Sequence, residues 1–186
     1  FIADRSKIVT ESTDSGRSVK RIAGRISVCD HVNGNNRRYP RRVWEKNLQD
    51  GSILRQLIEK NAAWGLLEHP ADGKVDLRSP IAVRLVNIKL EENGDVTGEI
   101  RVLPTPEGMR LQALIDEGYN PTVSTRGYGS IKSEDGVDVV CDDYVCEGAD
   151  VVAQPSVITA VMKTVESTTP PPPAFPPPPP TPPTGE

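Results

Sequence analysis

The chain has 186 residues, a formal net charge of −4, and apolar content that is mostly Val, Ile and Leu with few aromatics. That mild acidity leaves no broad basic surplus to grip a phosphate backbone, and no apolar run reaches membrane-spanning length, so neither nucleic acid nor membrane is an expected partner. Two histidines, and three cysteines of which Cys141 and Cys146 lie outside CxxC spacing, argue against a structural zinc site. With no signal peptide at the start, the odd cysteine count predicts a soluble intracellular protein with reduced thiols.

Residues 1–18 are polar and Ser/Thr-rich, which suits a loose arm or an edge strand. Residues 19–29 place Val19, Ile22, Ile26 and Val28 in a strand pattern, with a kink expected at Gly24. The Asn/Gly-dense stretch from His31 to Pro40 reads as a turn or loop. Pro40 suits the first turn of a helix, and Val43, Trp44, Leu48, Leu54, Leu57 and Ile58 follow at roughly helical spacing, with Gly51 dividing them into two helices. After Trp64, GLLEHPADG reads as a short strand that ends in a loop. Residues 81–90 form a strand, ENGD a turn, and VTGEIRVLP the returning strand. Thr105 and Pro106 open a helix that Met109, Leu111, Leu114 and Ile115 line and Gly118 stops. PTVSTRGYGSIK, VDVVC, YVCEGADVV and a Val/Ile segment at 157–161 supply further strands.

Strands therefore outnumber helices, without regular βαβ alternation. The expected fold is a β-rich α+β architecture, a mostly antiparallel sheet or barrel with helices packed outside. The expected organisation is an arm over 1–18, one folded domain over 19–166, and a Pro-rich tail over 167–186. The tail should be extended polyproline II, a spacer first and a docking segment second. Arg37, Arg38, Arg41 and Arg42 form a local basic cluster. It reads as a solvated loop and helix start, or as a docking patch for acidic partners or substrates.

Acyl hydrolysis needs a nucleophile, a base to activate it and donors for the oxyanion. Of the two histidines, His69 is framed by Pro70, which disfavours helix at His69 and places it at a strand end. His31 lies in a turn-forming stretch. A lone histidine is more often structural than catalytic. Ser124 sits in Val-Ser-Thr-Arg-Gly-Tyr-Gly, where Gly127 and Gly129 would let a substrate backbone approach. Arg126 could meet developing negative charge through its backbone N–H or its guanidinium. The bland reading is a glycine-bearing edge strand. Glu68, Asp72, Asp76 and Asp150 could orient the imidazole, and Asp150 stands out because it enters the apolar run Val151-Val152-Ala153. The chain lacks the Gly-x-Ser-x-Gly elbow, HExxH, the P-loop and the dinucleotide fingerprint.

Three segments in order resemble the prohead (procapsid maturation) proteases of T-even-like tailed phages. They are Val32-Asn33-Gly34-Asn35-Asn36-Arg37-Arg38-Tyr39-Pro40, Leu67-Glu68-His69-Pro70, and Val123-Ser124-Thr125-Arg126-Gly127-Tyr128-Gly129-Ser130. The resemblance covers about residues 19–160. It implies a serine endopeptidase related to herpesvirus assemblin, built on an antiparallel β-barrel flanked by helices. It implies His69 as base, Ser124 as nucleophile, Asp150 of Gly-Ala-Asp-Val-Val as third member, and backbone N–H groups near Arg126 and Gly127 as oxyanion donors, with no metal or organic cofactor.

The implied substrates are scaffold, core and major capsid proteins, cut inside the assembling prohead in the host cytoplasm, with self-cleavage. A terminal Glu186 is what self-processing after glutamate would leave. A homo-oligomer is allowed, its order not fixed by sequence. The chain departs from the family pattern at Leu66, expected to alter substrate contacts, and at Thr125. The competing readings are a catalytically inactive β-barrel component that binds scaffold during capsid assembly, and a hydrolase of another acyl substrate such as an ester.

Overall fold

The computed structural model describes residues 10–12 and 18–164. In chain order these form β1 (Thr10–Ser12), β2 (Ser18–Val28), β3 (Arg37–Arg38), α1 (Arg41–Asn47), α2 (Ile53–Glu59), β4 (Trp64–Gly65), β5 (Val83–Leu90), β6 (Asp95–Val102), α3 (Pro106–Asp116), β7 (Val123–Tyr128), β8 (Ile131–Glu134), β9 (Val137–Val140), β10 (Val145–Val151) and β11 (Met162–Thr164). The expected Pro-rich tail, and Glu186 with it, lies outside the described residues. So does most of the expected arm, of which β1 is an edge strand on β2.

The main sheet runs β1-β2-β6-β5-β4, with β11 also paired to β2, and its pairings are antiparallel. Ile22 and Ile26 on β2, Leu85 and Ile88 on β5, and Val96, Ile100 and Val102 on β6 are all buried on its inner side. This alternation fixes the register, because a slip of one residue would turn the apolar set to solvent. The β5–β6 turn uses Gly94 at φ +89°, with the Asn93 side chain accepting from Asp95 N–H at 3.0 Å. Bulges at Arg25/Ser27 and Leu85/Asn87 bend the sheet. The expected kink at Gly24 is a close approach. A Cβ there would meet the Val161 carbonyl, so only glycine lets β11 lie against β2.

A second ribbon pairs β7 with β10. Single bridges tie it to the main sheet on both sides, Thr122 to Val161 and Leu67 to Val151, so the curled sheet and the ribbon share one core. A third sheet, β3-β9-β8, contains the only parallel strand pair among the described residues, β3 with β9. The architecture is the expected β-rich, mostly antiparallel one with three flanking helices.

The helices follow local rules. Gly51 at φ +77° separates α1 from α2, Ser52 caps α2 by accepting from Arg55 N–H, and Thr105 caps α3 by accepting from Gly108 N–H. Trp44 of α1 packs with Tyr39 and Tyr144, and the Tyr39 and Tyr144 rings meet edge-on at 5.4 Å between centroids. The buried Asn47 donates to the Tyr144 carbonyl at 3.0 Å and accepts from Cys146 N–H at 2.7 Å, so α1 holds the start of β10 in place.

Two strand expectations are corrected. PTVSTRGYGSIK is not one strand. It ends at Tyr128, and Ile131 begins β8 in the third sheet. Residues 157–161 are mostly turn, with Ile158 exposed, and the strand begins later at Met162. The β-branched composition was right, but Val157 to Thr159 form no strand pairing, and the first bridge comes at Val161, opposite Thr122. Three of the four arginines of the basic cluster pair within the chain. Arg38 pairs with Glu134 at 2.7 Å, Arg42 with Asp142 at 2.7 Å, and Arg41 with Glu45 at 3.1 Å.

Candidate active site

β7 and β10 run antiparallel with Ser124 directly opposite Asp150 and Thr125 opposite Ala149. Directly opposed residues project to the same face, with Cβ atoms about 5 Å apart. The register therefore puts a hydroxyl beside a carboxylate before any loop is considered.

The third residue arrives on the chain after β4. Leu66 O accepts from Val151 N–H at 2.9 Å, and Glu68 N–H donates to Val151 O at 2.8 Å. These bonds lay residues 66–68 alongside the end of β10. Glu68 takes φ +66°, and its side chain accepts from Ala153 N–H at 2.7 Å. The turn so tethered swings His69 over Asp150, with Nδ1 donating to Oδ2 at 2.7 Å. A carboxylate only accepts, so this bond fixes the proton on Nδ1 and leaves Nε2 of the neutral ring as the basic nitrogen. The ring is 43 % exposed and Asp150 is fully buried.

Asp150 is satisfied on both oxygens. Oδ1 accepts from Leu66 N–H at 2.9 Å, and Oδ2 accepts from His69 and from Arg126 Nε at 3.1 Å. Of the carboxylates weighed from sequence, Asp150 alone meets the imidazole. Asp72 accepts from Lys74 N–H, Asp76 from Arg78, and Glu68 tethers its own turn. His31 lies elsewhere, with Nδ1 2.8 Å from Cys29 O.

Three expectations about neighbouring residues change. A Cβ on Gly127 would run into Val145 O and sit 2.7 Å from the Tyr144 hydroxyl, and one on Gly129 would sit 2.6 Å from Tyr144 Cα. These glycines make room for the protein's own core tyrosine. Leu66, expected at a substrate contact, is 4 % exposed and packs inside, so its side chain fills the core while its amide serves Asp150. The Arg126 guanidinium is turned to Asp150 and is 7 % exposed, so its side chain does not face an incoming carbonyl. Sequence reasoning passed over the Leu66 amide, the Trp64 carbonyl and Glu147, all of which touch this network. Backbone groups carry no residue-type signal. Only the odd placement of a glutamate inside an apolar strand marked Glu147.

No group of His, Cys, Asp and Glu among the described residues is arranged to hold a metal ion. The cysteines are free thiols. Burial pushes Cys29 up to about 11 and Cys146 up to about 12, from an ordinary 9.0. Both thiols therefore stay protonated when folded, and the stability this gives is present below about pH 9 and lost as pH rises through about 11–12. Iodoacetamide at pH 8 should label Cys141 in the native protein, and Cys29 and Cys146 only after urea unfolding. Peptide mass mapping would check this, and native labelling of Cys146 at the Cys141 rate would show that the β7–β10 pair opens.

Known proteins carry the same arrangement of chain. The family model for the prohead core protein serine protease matches residues 6–170. The prohead core protein protease of Enterobacteria phage T4 is 33 % identical over 151 residues, which is 79 % of this chain and 69 % of that protein. The solved structure of the bacteriophage T4 capsid assembly protease, gp21, superposes with a TM-score of 0.69 at 29 % identity, over 80 % of this chain and 90 % of that one. A match over most of the chain in sequence and in fold makes this protein a peptidase and a member of the prohead core protein serine protease family.

Proposed function

We propose that this chain is a Ser-His-Asp endopeptidase that cuts the core, scaffold and capsid proteins of its own phage, and itself, inside the assembling prohead. One observation carries the reading. Ser124 stands opposite Asp150 across a strand pair, and Asp150 binds His69 at 2.7 Å.

In the proposed reaction, Nε2 of His69 takes the Ser124 proton as Oγ attacks the scissile carbonyl. Asp150 holds the ring in the right tautomer and stabilises the imidazolium that forms. Backbone N–H groups at Arg126 and Gly127 are the proposed oxyanion donors, since the Arg126 side chain is committed to Asp150. The imidazolium returns its proton to the leaving amine, and water, activated by the same base, releases the acyl-enzyme. Each step is supplied by the protein's own groups. The proposed catalytic unit spans 19–166, between an arm over 1–18 and the Pro-rich segment over 167–186. An inactive scaffold-binding component would have no need of a buried carboxylate spent on holding an imidazole.

Incubation with the cognate core and capsid proteins, followed on gels, tests the substrate class. Diisopropyl fluorophosphate followed by peptide mass mapping tests the nucleophile. The adduct is expected on Ser124, with its formation lost in His69→Ala. A wild-type protein that cuts its substrates with no adduct on Ser124 would refute the serine assignment.

A further inference from the structure

We infer that Arg126 and Glu147 form a positioning pair behind Asp150, which holds that carboxylate in place and sets the charge that the imidazolium meets. The inference rests on the Ser-His-Asp reading and adds two residues to it.

Begin with the burial of Asp150. A carboxylate with no solvent exposure needs a countercharge, because dipoles alone offset only part of its desolvation. Its donors are the Leu66 amide, the His69 ring and the Arg126 guanidinium. The amide is neutral. The imidazole is neutral until it takes the serine proton. Before that moment the one full positive charge on Asp150 is Arg126.

The guanidinium is also fixed from its other sides. Nη2 donates to Trp64 O at 2.8 Å, and Nη1 lies 3.3 Å from Glu147 Oε2. One side chain from the nucleophile's own strand thus spans β4, β7 and β10. The backbone is shaped to admit it. Cys146 opposes Gly127 and Gly148 opposes Arg126, so Glu147 is the extra residue of a β-bulge, which is what re-aims its side chain. A Cβ on Gly148 would stand 2.8 Å from Trp64 O and 3.3 Å from Arg126 Nη2, so glycine there leaves the guanidinium its path.

The charges explain why two residues are needed. Asp150 with Arg126 alone is neutral and offers little to a forming imidazolium. Glu147 brings the cluster to a net single negative charge, which the imidazolium then cancels. Arg126 fixes where the carboxylate points, and Glu147 keeps it attractive. Both act through Asp150 and His69 and are positioning residues.

The probe is diisopropyl fluorophosphate, whose limiting rate on Ser124 reports activation and whose half-saturation concentration reports binding. The second readout is the His69 Nδ1–H proton resonance, downfield when bonded to a carboxylate and assigned by its loss in His69→Ala. Arg126→Gln is expected to slow the limiting rate roughly 10–100-fold, with half-saturation within about twofold, and to lose or shift the resonance. Arg126→Lys, which can meet one partner but not all three, should keep the resonance and recover part of the rate. Glu147 is 35 % exposed, so Glu147→Gln should fold and slow the rate only about two- to fivefold at low salt, less at high salt.

A folded Arg126→Gln with wild-type rate and resonance overturns the inference. If that variant does not fold, a wild-type rate in Glu147→Gln at low salt overturns it. Failure of the wild type to label at Ser124 at all would instead overturn the Ser-His-Asp reading beneath it.

Discussion

Ser124→Ala is expected to reduce cleavage of the cognate core and capsid proteins to background, a loss of about six orders of magnitude in kcat. The substitution removes the hydroxyl oxygen proposed to form the acyl bond. It leaves His69 and Arg126 bonded to Asp150, because none of these bonds runs through Ser124. Stability should stay within about 1 kcal/mol of the wild type, since a half-buried hydroxyl is lost and no void opens in the core. Substrate binding should survive, so the variant should be capturable with its substrates. His69→Ala should fall to a similar level, and the double variant should lose little more, because nucleophile and base act as one unit. Gel-based cleavage with a denaturant melt on the same preparation checks both halves. A Ser124→Ala protein that cuts as well as the wild type would remove the nucleophile from this account.

Asp150→Asn is expected to lower kcat by about 10⁴-fold with the substrate still bound. An amide can present N–H to Nδ1 and so favour the ring tautomer with its proton on Nε2, where the base must be empty. The same change strips the Arg126 guanidinium of its main countercharge in a site that is 7 % exposed. Breaking one partner of a buried ion pair costs about 3 kcal/mol, which should appear as a lower denaturation midpoint. Asp150→Asn should thus lose both activity and stability, whereas Ser124→Ala loses activity alone. Asp72→Asn serves as the control. Asp72 caps a turn by accepting from Lys74 N–H at 3.1 Å and should leave kcat within about twofold of the wild type. If Asp72→Asn is the inactive variant, the orienting carboxylate was misassigned.

Local chemistry made much of this protein legible before any fold was known. Gly51 separates two helices, Thr105 caps a third, and Asn93-Gly94 turns a hairpin, because capping and positive φ are properties of a few adjacent residues. The scarcity of histidine narrowed the base to His69, and the ordered motifs pointed to Ser124 and Asp150. What the sequence could not set was register. Ser124 stands opposite Asp150 only because β7 and β10 bury their inner faces against one shared core, and that balance is struck by residues far apart in the chain. The same non-local packing broke the expected strand at Gly129, moved the last strand to Met162, and turned Gly127 toward Tyr144. It also made the Arg126 guanidinium the countercharge of Asp150 rather than a group that faces substrate. A guanidinium goes to the buried carboxylate it can reach, and the reach was decided by a bulge at Glu147 and by backbone groups of Trp64 and Leu66 that no residue type announces.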